Sequence, residues 1–139
     1  MNQKGISHIL EIMGAYMHSK ILLVSQKLGL FDAFRYEKAT TKEIAFRIHI
    51  DLEMCTLLLN ALYKLKFLLK EEDGYILAND SKEFLCSESE NYIGDLIIFQ
   101  ENEWNSWDHL YETIKAGEAK AIEEEPMNEE EIKTYINGM

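Results

Sequence analysis

This sequence predicts a mainly α fold with one small β-hairpin, and three observations carry that reading. Most apolar runs recur at helical spacing. Only 1 proline and 7 glycines interrupt the 139 residues. Between Thr40 and Ala78 the pattern changes from a short helix, a turn and a longer helix to two brief extended runs. Helix, turn, helix and hairpin in that order form a winged-helix, DNA-binding-like domain, here with long flanking helices on both sides.

The first helix is expected over Ser7 to Leu28, with Gly29 placed to end it. Ile9, Leu10, Met13, Met17, Ile21, Val24 and Leu28 form one stripe, and Ile12, Ala15, Tyr16, Leu22 and Leu23 cover much of the remaining circumference. A helix this apolar must be buried on more than one side. A chain of this size offers one core face, so either its own domain wraps the helix or a second chain covers the other face. Leu30, Phe31, Ala33 and Phe34 predict a short apolar helix or turn.

Thr40 and Glu43 stand in capping-box spacing before Ile44, Ala45 and Ile48, which predicts a short helix there. Asp51 can cap the next helix, whose stripe is read as Cys55, Leu58, Leu59, Leu62, Leu65 and Leu69, with Glu53, Thr56, Asn60 and Lys64 opposite. Phe67 to Lys70 and Tyr75 to Ala78 then flank Glu71, Glu72, Asp73 and Gly74, where Asp-Gly is expected to supply the positive dihedrals of a tight hairpin. After a helical turn from Asn79, Phe84 and Leu85 are expected against the core. Ser87 and Glu90 again have capping-box spacing. They predict a long helix from about Ser89 that carries Tyr92, Ile93, Leu96, Phe99, Trp104, Trp107, Leu110, Tyr111 and Ile114, breaks near Asn102 to Ser106 and stops at Gly117. Trp104 and Trp107 are read as core or interface anchors. Glu118 to Glu125 is expected to be extended, with Pro126 blocking a helix. Asn128 caps a last helix with stripe Ile132, Tyr135, Ile136 and Met139, ending at Gly138.

Composition narrows the function classes. With 47% hydrophobic residues in 139, one core is expected. The domain reading is residues 1–117 as one folded domain and 118–139 as an acidic linker with a short helix. Residues 1–87 hold 11 Lys plus Arg against 11 Asp plus Glu, and residues 88–139 hold 3 against 14, so the last third carries the whole net charge of −11. That balance, with three carboxylates at the wing tip, argues against nucleic acid or an anionic membrane as partner. No signal peptide or membrane-length apolar span is apparent, and the expected location is the cytoplasm. Cys55 and Cys86 read as free thiols. His8, His18, His49 and His109 are scattered without a partner at telling spacing, and no two glycines are close enough for a nucleotide loop, so no catalytic or metal-ligating residue is named.

Laid out in this order, the residues resemble the N-terminal dimerisation domain of S-adenosylmethionine-dependent O-methyltransferases of the plant and acetylserotonin type. The likeness runs through Leu28-Gly29-Leu30-Phe31 after the greasy helix; Leu57, Leu58, Leu59, Leu62 and Leu65; the hairpin Gly74 to Leu77; the W-x-x-L pattern of Trp107 and Leu110 with closing Gly117; and Tyr135 to Met139. The resemblance implies a homodimer whose first helix interlocks with a second subunit, through Ile9, Met13, Met17, Ile21 and Val24. It also implies that Met13, Gly14, Tyr16 and Met17 line a small hydroxylated substrate in the partner's active site. S-adenosylmethionine would serve the intact enzyme, held by a methyl-donor domain or subunit. This chain shows no counterpart of the donor-binding glycine loop, so it is expected to bind no cofactor and to transfer no methyl group by itself. The alternative is a winged-helix transcriptional regulator.

Overall fold

The computed structural model describes residues 3–119 and 127–138. In chain order they form α1 (Gln3–Lys27), α2 (Leu30–Ala33), α3 (Thr41–Arg47), α4 (Leu52–Lys64), β1 (Leu68–Glu71), β2 (Gly74–Leu77), α5 (Asn79–Phe84), α6 (Gly94–Asp108), α7 (Leu110–Ala116) and α8 (Glu129–Gly138). Contacts divide the chain into two compact units, Met1–Tyr92 and Ile93–Met139. The mainly α, winged-helix architecture with one hairpin is as the sequence predicts.

In the first unit α1 begins a turn earlier than expected and ends before Gly29, whose φ of 70° is a left-handed conformation free of Cβ strain only in glycine. The chain then drops Leu30, Phe31 and Phe34 into the core. The capping box of α3 is complete: the Glu43 amide donates to Thr40 Oγ1 at 3.2 Å, and the Thr40 amide donates to Glu43 Oε2 at 2.7 Å. These bonds hold the Glu43 carboxyl below its ordinary range. Asp51 caps α4 by accepting from the Met54 amide at 2.9 Å. Ile44, Cys55, Leu59, Leu62, Leu68 and Leu77 close the core between α3, α4 and the hairpin. Leu69 does not extend the stripe of α4, because that helix stops at Lys64 and Leu69 faces outward from β1.

The hairpin pairs Leu68 with Leu77 and Glu71 with Gly74, leaving a two-residue loop, Glu72 and Asp73. Among the described residues, positive φ occurs at Gly29, Arg35, Tyr36, His49, Lys66 and Gly117, and not at the Asp-Gly pair. The expected reason for Gly74 is therefore wrong. Its neighbour Tyr75 exchanges two backbone hydrogen bonds with Ala39, at 3.0 and 2.9 Å, which form an isolated β-bridge beside β2. A Cβ on Gly74 would lie 2.4 Å from the Ala39 carbonyl oxygen. Close backbone approach demands the glycine.

After α5, Leu85 is buried as expected, but Phe84 is exposed. No helix starts at Ser89. The Ser87 amide donates to Asp32 Oδ1 at 2.8 Å, and Ser89 Oγ accepts from the Asn91 amide at 3.2 Å. Side-chain bonds of this kind offer the backbone a turn in place of a helix. Helix α6 begins only at Gly94, so Tyr92 and Ile93 precede it.

In the second unit the break falls at His109, not within Asn102 to Ser106. There the His109 amide donates to the Ser106 carbonyl at 3.3 Å, and His109 Nδ1 lies 2.9 Å from the Asn105 carbonyl oxygen. Gly117, with φ of 73°, ends α7 as expected. Asn128 caps α8 in a full capping box, donating from its amide to Glu131 Oε2 at 2.8 Å while its Oδ1 accepts from the Glu131 amide at 2.9 Å. Phe99 of α6 and Tyr135 of α8 pack with ring centroids 5.0 Å apart. The expectations for residues 120–126 and for Met139 lie outside the described residues.

Candidate dimerisation surface

Helix α1 joins two different environments. At its C-terminal end Leu23, Ser25 and Gln26 are buried against the rest of the first unit, where α1 packs on α2 and α4. Ser25 Oγ donates back to the Ile21 carbonyl at 2.7 Å. Gln26 Nε2 donates to the Leu85 carbonyl at 3.2 Å and to Tyr92 Oη at 3.3 Å, which ties α1 to the loop after α5.

The first four turns behave in the opposite way. Ile9, Met13, Tyr16 and Met17 are between 49% and 64% exposed, and Ile6, Leu10 and Ile12 are exposed beside them. At about 100° per residue, Leu10, Met17, Met13, Ile9, Tyr16 and Ile12 span an arc of roughly 160°. The centre of the face buried at the C-terminal end lies about 140° round the helix from the centre of this arc. Lys4, Ser7, His8, Glu11 and His18 occupy the other side. Ile21 and Val24, half-buried, continue toward the core, and Gly14 is half-buried with the Met17 methyl 3.7 Å from where a Cβ would stand.

Sequence reading thus located this face and left a second undecided between core and interface. Trp107, Tyr111 and Ile114 of α6 and α7 are 69% to 72% exposed, and Leu110 is exposed with them. Their spacing of i, i+3, i+4 and i+7 was the available signal, and Trp107 is not a core residue. On α4 the outward side shows Glu53, Thr56, Asn60 and Lys64 as expected, together with Met54 and Leu57. At the wing, Asp73 meets Lys38 at 3.0 Å, which draws the Asp73 carboxyl below its ordinary value.

The described residues include no cluster of three or more His, Cys, Asp or Glu suited to a metal ion, and no helix long and apolar enough to cross a membrane. Cys55 and Cys86 are free and buried, and burial first, then the Asp32 charge, pushes the Cys86 thiol up to about 11.

Comparison with known proteins gives the arrangement its relatives. The sequence model of the O-methyltransferase dimerisation domain matches residues 10–87. The N,N-dimethyltransferase OxyT of Streptomyces rimosus is 29% identical over 112 residues, covering 80% of this chain and 33% of that protein. An O-methyltransferase family protein from Burkholderia thailandensis superimposes with a TM-score of 0.71 at 25% identity, over 79% of this chain and 33% of the other. Human N-acetylserotonin methyltransferase, solved in complex with S-adenosylmethionine, shares the fold over 99% of this chain and 45% of its own, with a TM-score of 0.84 at 17% identity. The chain spans about a third of the length of OxyT and of the Burkholderia protein. Together the matched segment and the exposed first helix place this chain in the O-methyltransferase dimerisation-domain family.

Proposed function

We propose that this chain is the dimer-forming and substrate-enclosing module of an S-adenosylmethionine-dependent methyltransferase. Residues 1–117 act as the dimerisation domain, and residues 118–139 link it to a methyl-donor domain or subunit. The observation that carries this reading is the apolar arc of α1, exposed over four turns and turned away from its own domain. A contiguous apolar face of this kind marks an interaction site. A second copy covers it in a two-fold pair, with Ile9, Met13, Met17, Ile21 and Val24 in contact.

S-adenosylmethionine supplies an electrophilic methyl group when bound in the intact enzyme. What this chain contributes is enclosure. Met13, Gly14, Tyr16 and Met17 form part of an apolar wall that orients a small acceptor molecule and excludes water from its attacking atom. The relatives include a protein named for N,N-dimethylation as well as an O-methyltransferase family member, which supports an acceptor with a hydroxyl or an amine. Acidic charge at the wing tip and a neutral outward side on α4 support the absence of nucleic acid from the partners.

Sedimentation velocity tests the reading. The chain is expected to run as a dimer at micromolar concentration, and Met13→Asp is expected to weaken association at least about 100-fold by burying an unpaired carboxylate. A monomeric wild-type chain, or an unchanged dimer in the variant, overturns it.

A further inference from the structure

The hairpin tip carries a reactive pair that association does not use. Asp73 and Gly74 are the one Asp-Gly pair in the sequence. An aspartate carboxyl that precedes a glycine can close on the glycine amide into a five-membered succinimide, since no Cβ obstructs the approach. Glu72 and Asp73 form the two-residue loop between β1 and β2, and the Asp73 side chain is 69% exposed, so water reaches it. Lys38 Nζ lies 3.0 Å from Asp73 Oδ1. That ammonium keeps the carboxyl ionised, which is its unreactive form, because ring closure expels water from a protonated carboxyl. Gly74 has no spare room: a Cβ there would collide with the Ala39 carbonyl. Ala39 exchanges its two backbone hydrogen bonds with Tyr75 at this point, and it immediately precedes Thr40, the cap of α3.

We propose that Asp73 is a site of spontaneous isoaspartyl modification, that Lys38 holds the reaction back, and that the modified residue releases the hairpin from the segment before α3. In the first step the Gly74 amide nitrogen attacks Asp73 Cγ. The bond from nitrogen to Cγ forms, the bond from Cγ to its hydroxyl oxygen breaks, and that hydroxyl leaves as water with the amide proton. Water then adds to either carbonyl of the ring. Attack at Cγ restores aspartate, whereas attack at the main-chain carbonyl carbon leaves the chain running through Cγ, one methylene longer. No oxidant, metal or second substrate enters. The added atom falls beside Gly74, where the Ala39 backbone already stands in contact, so the bonds between Ala39 and Tyr75 open.

Peptide mapping with electron-based fragmentation distinguishes the two isomers, and amide exchange reports the bridge. After prolonged incubation of the full chain at neutral pH, wild type is expected to accumulate the β-linked residue at position 73. Lys38→Ala is expected to accumulate it about threefold faster, the scale set by a solvent-exposed ion pair. Asp73→Glu keeps the charge but would need a six-membered ring, and is expected to stay unmodified. In the modified fraction the Tyr75 amide should exchange faster than in the unmodified one, while the amides of α4 keep their rates. Equal rates in wild type and Lys38→Ala overturn the guarding role of Lys38. Absence of the isomer at position 73 from Lys38→Ala, or its appearance only at Asn137 before Gly138, overturns the site. Unchanged exchange at Tyr75 overturns the release.

Discussion

The two ends of α1 invert the usual relation between polarity and burial. Its last turns bury a serine and a glutamine, and its first four turns expose two methionines, a tyrosine and several branched aliphatics. Within one copy this is unfavourable at both ends: polar groups lose water and apolar groups keep it. The polar end is satisfied locally, through Ser25 to the Ile21 carbonyl and Gln26 to Leu85 and Tyr92. Among the described residues the apolar end has no such local remedy, and the proposed second copy would supply the surface. Apolarity along a helix therefore reports total burial in the assembly, and the fold of one copy shows only part of it.

The largest expected effect separates the ends directly. Leu23→Ala removes a buried side chain and should lower folding stability by about 2–4 kcal/mol in urea titrations. Ile9→Ala should leave the stability of the monomer unchanged and weaken dimerisation about tenfold or more. A loss of monomer stability in Ile9→Ala would mean that the first turns pack on their own domain after all.

Gln26 sharpens the comparison at the polar end. Its Nε2 donates twice, while its Oε1 is buried with no hydrogen-bond partner among the described residues. Gln26→Ala strands the Leu85 carbonyl and should cost about 1–3 kcal/mol. Gln26→Leu should cost less, because it loses the same donor but keeps the volume that alanine vacates. Equal losses would show that the lost donor, and not packing, decides the site.

How much of this was legible in the sequence follows from the range of the forces involved. The capping box at Thr40 and the cap at Asn128 could be read because their partners lie within three residues. The terminating glycines at 29 and 117 could be read because a positive φ is a local demand. Gly74 was found for the wrong reason, since its constraint comes from Ala39, 35 positions earlier in the chain. The false helix start at Ser89 failed in the same way: Asp32 takes the Ser87 amide, a contact spanning 55 residues. For the candidate surface, periodicity identified the α1 arc. It could not tell that Trp107, Tyr111 and Ile114 are exposed, because the same spacing describes a core face and an interface.

The smallest expected effect concerns the surface beneath the buried end of α1. Cys86 follows Leu85, which accepts from Gln26, and its Sγ lies 3.9 Å from the Phe31 carbonyl. Burial, with the Asp32 charge adding to it, raises this thiol from the ordinary 9.0 to about 11. The folded state therefore holds the proton more tightly than the unfolded chain does, and the stability this contributes is fully present below about pH 9. It is lost as the pH rises toward and through about 11. Measured on the Met13→Asp background, so that association does not enter, Tm should fall more steeply between pH 9 and 11 than it does when Cys86→Ala is added. Parallel pH profiles would show that the Cys86 thiol does not carry the alkaline loss.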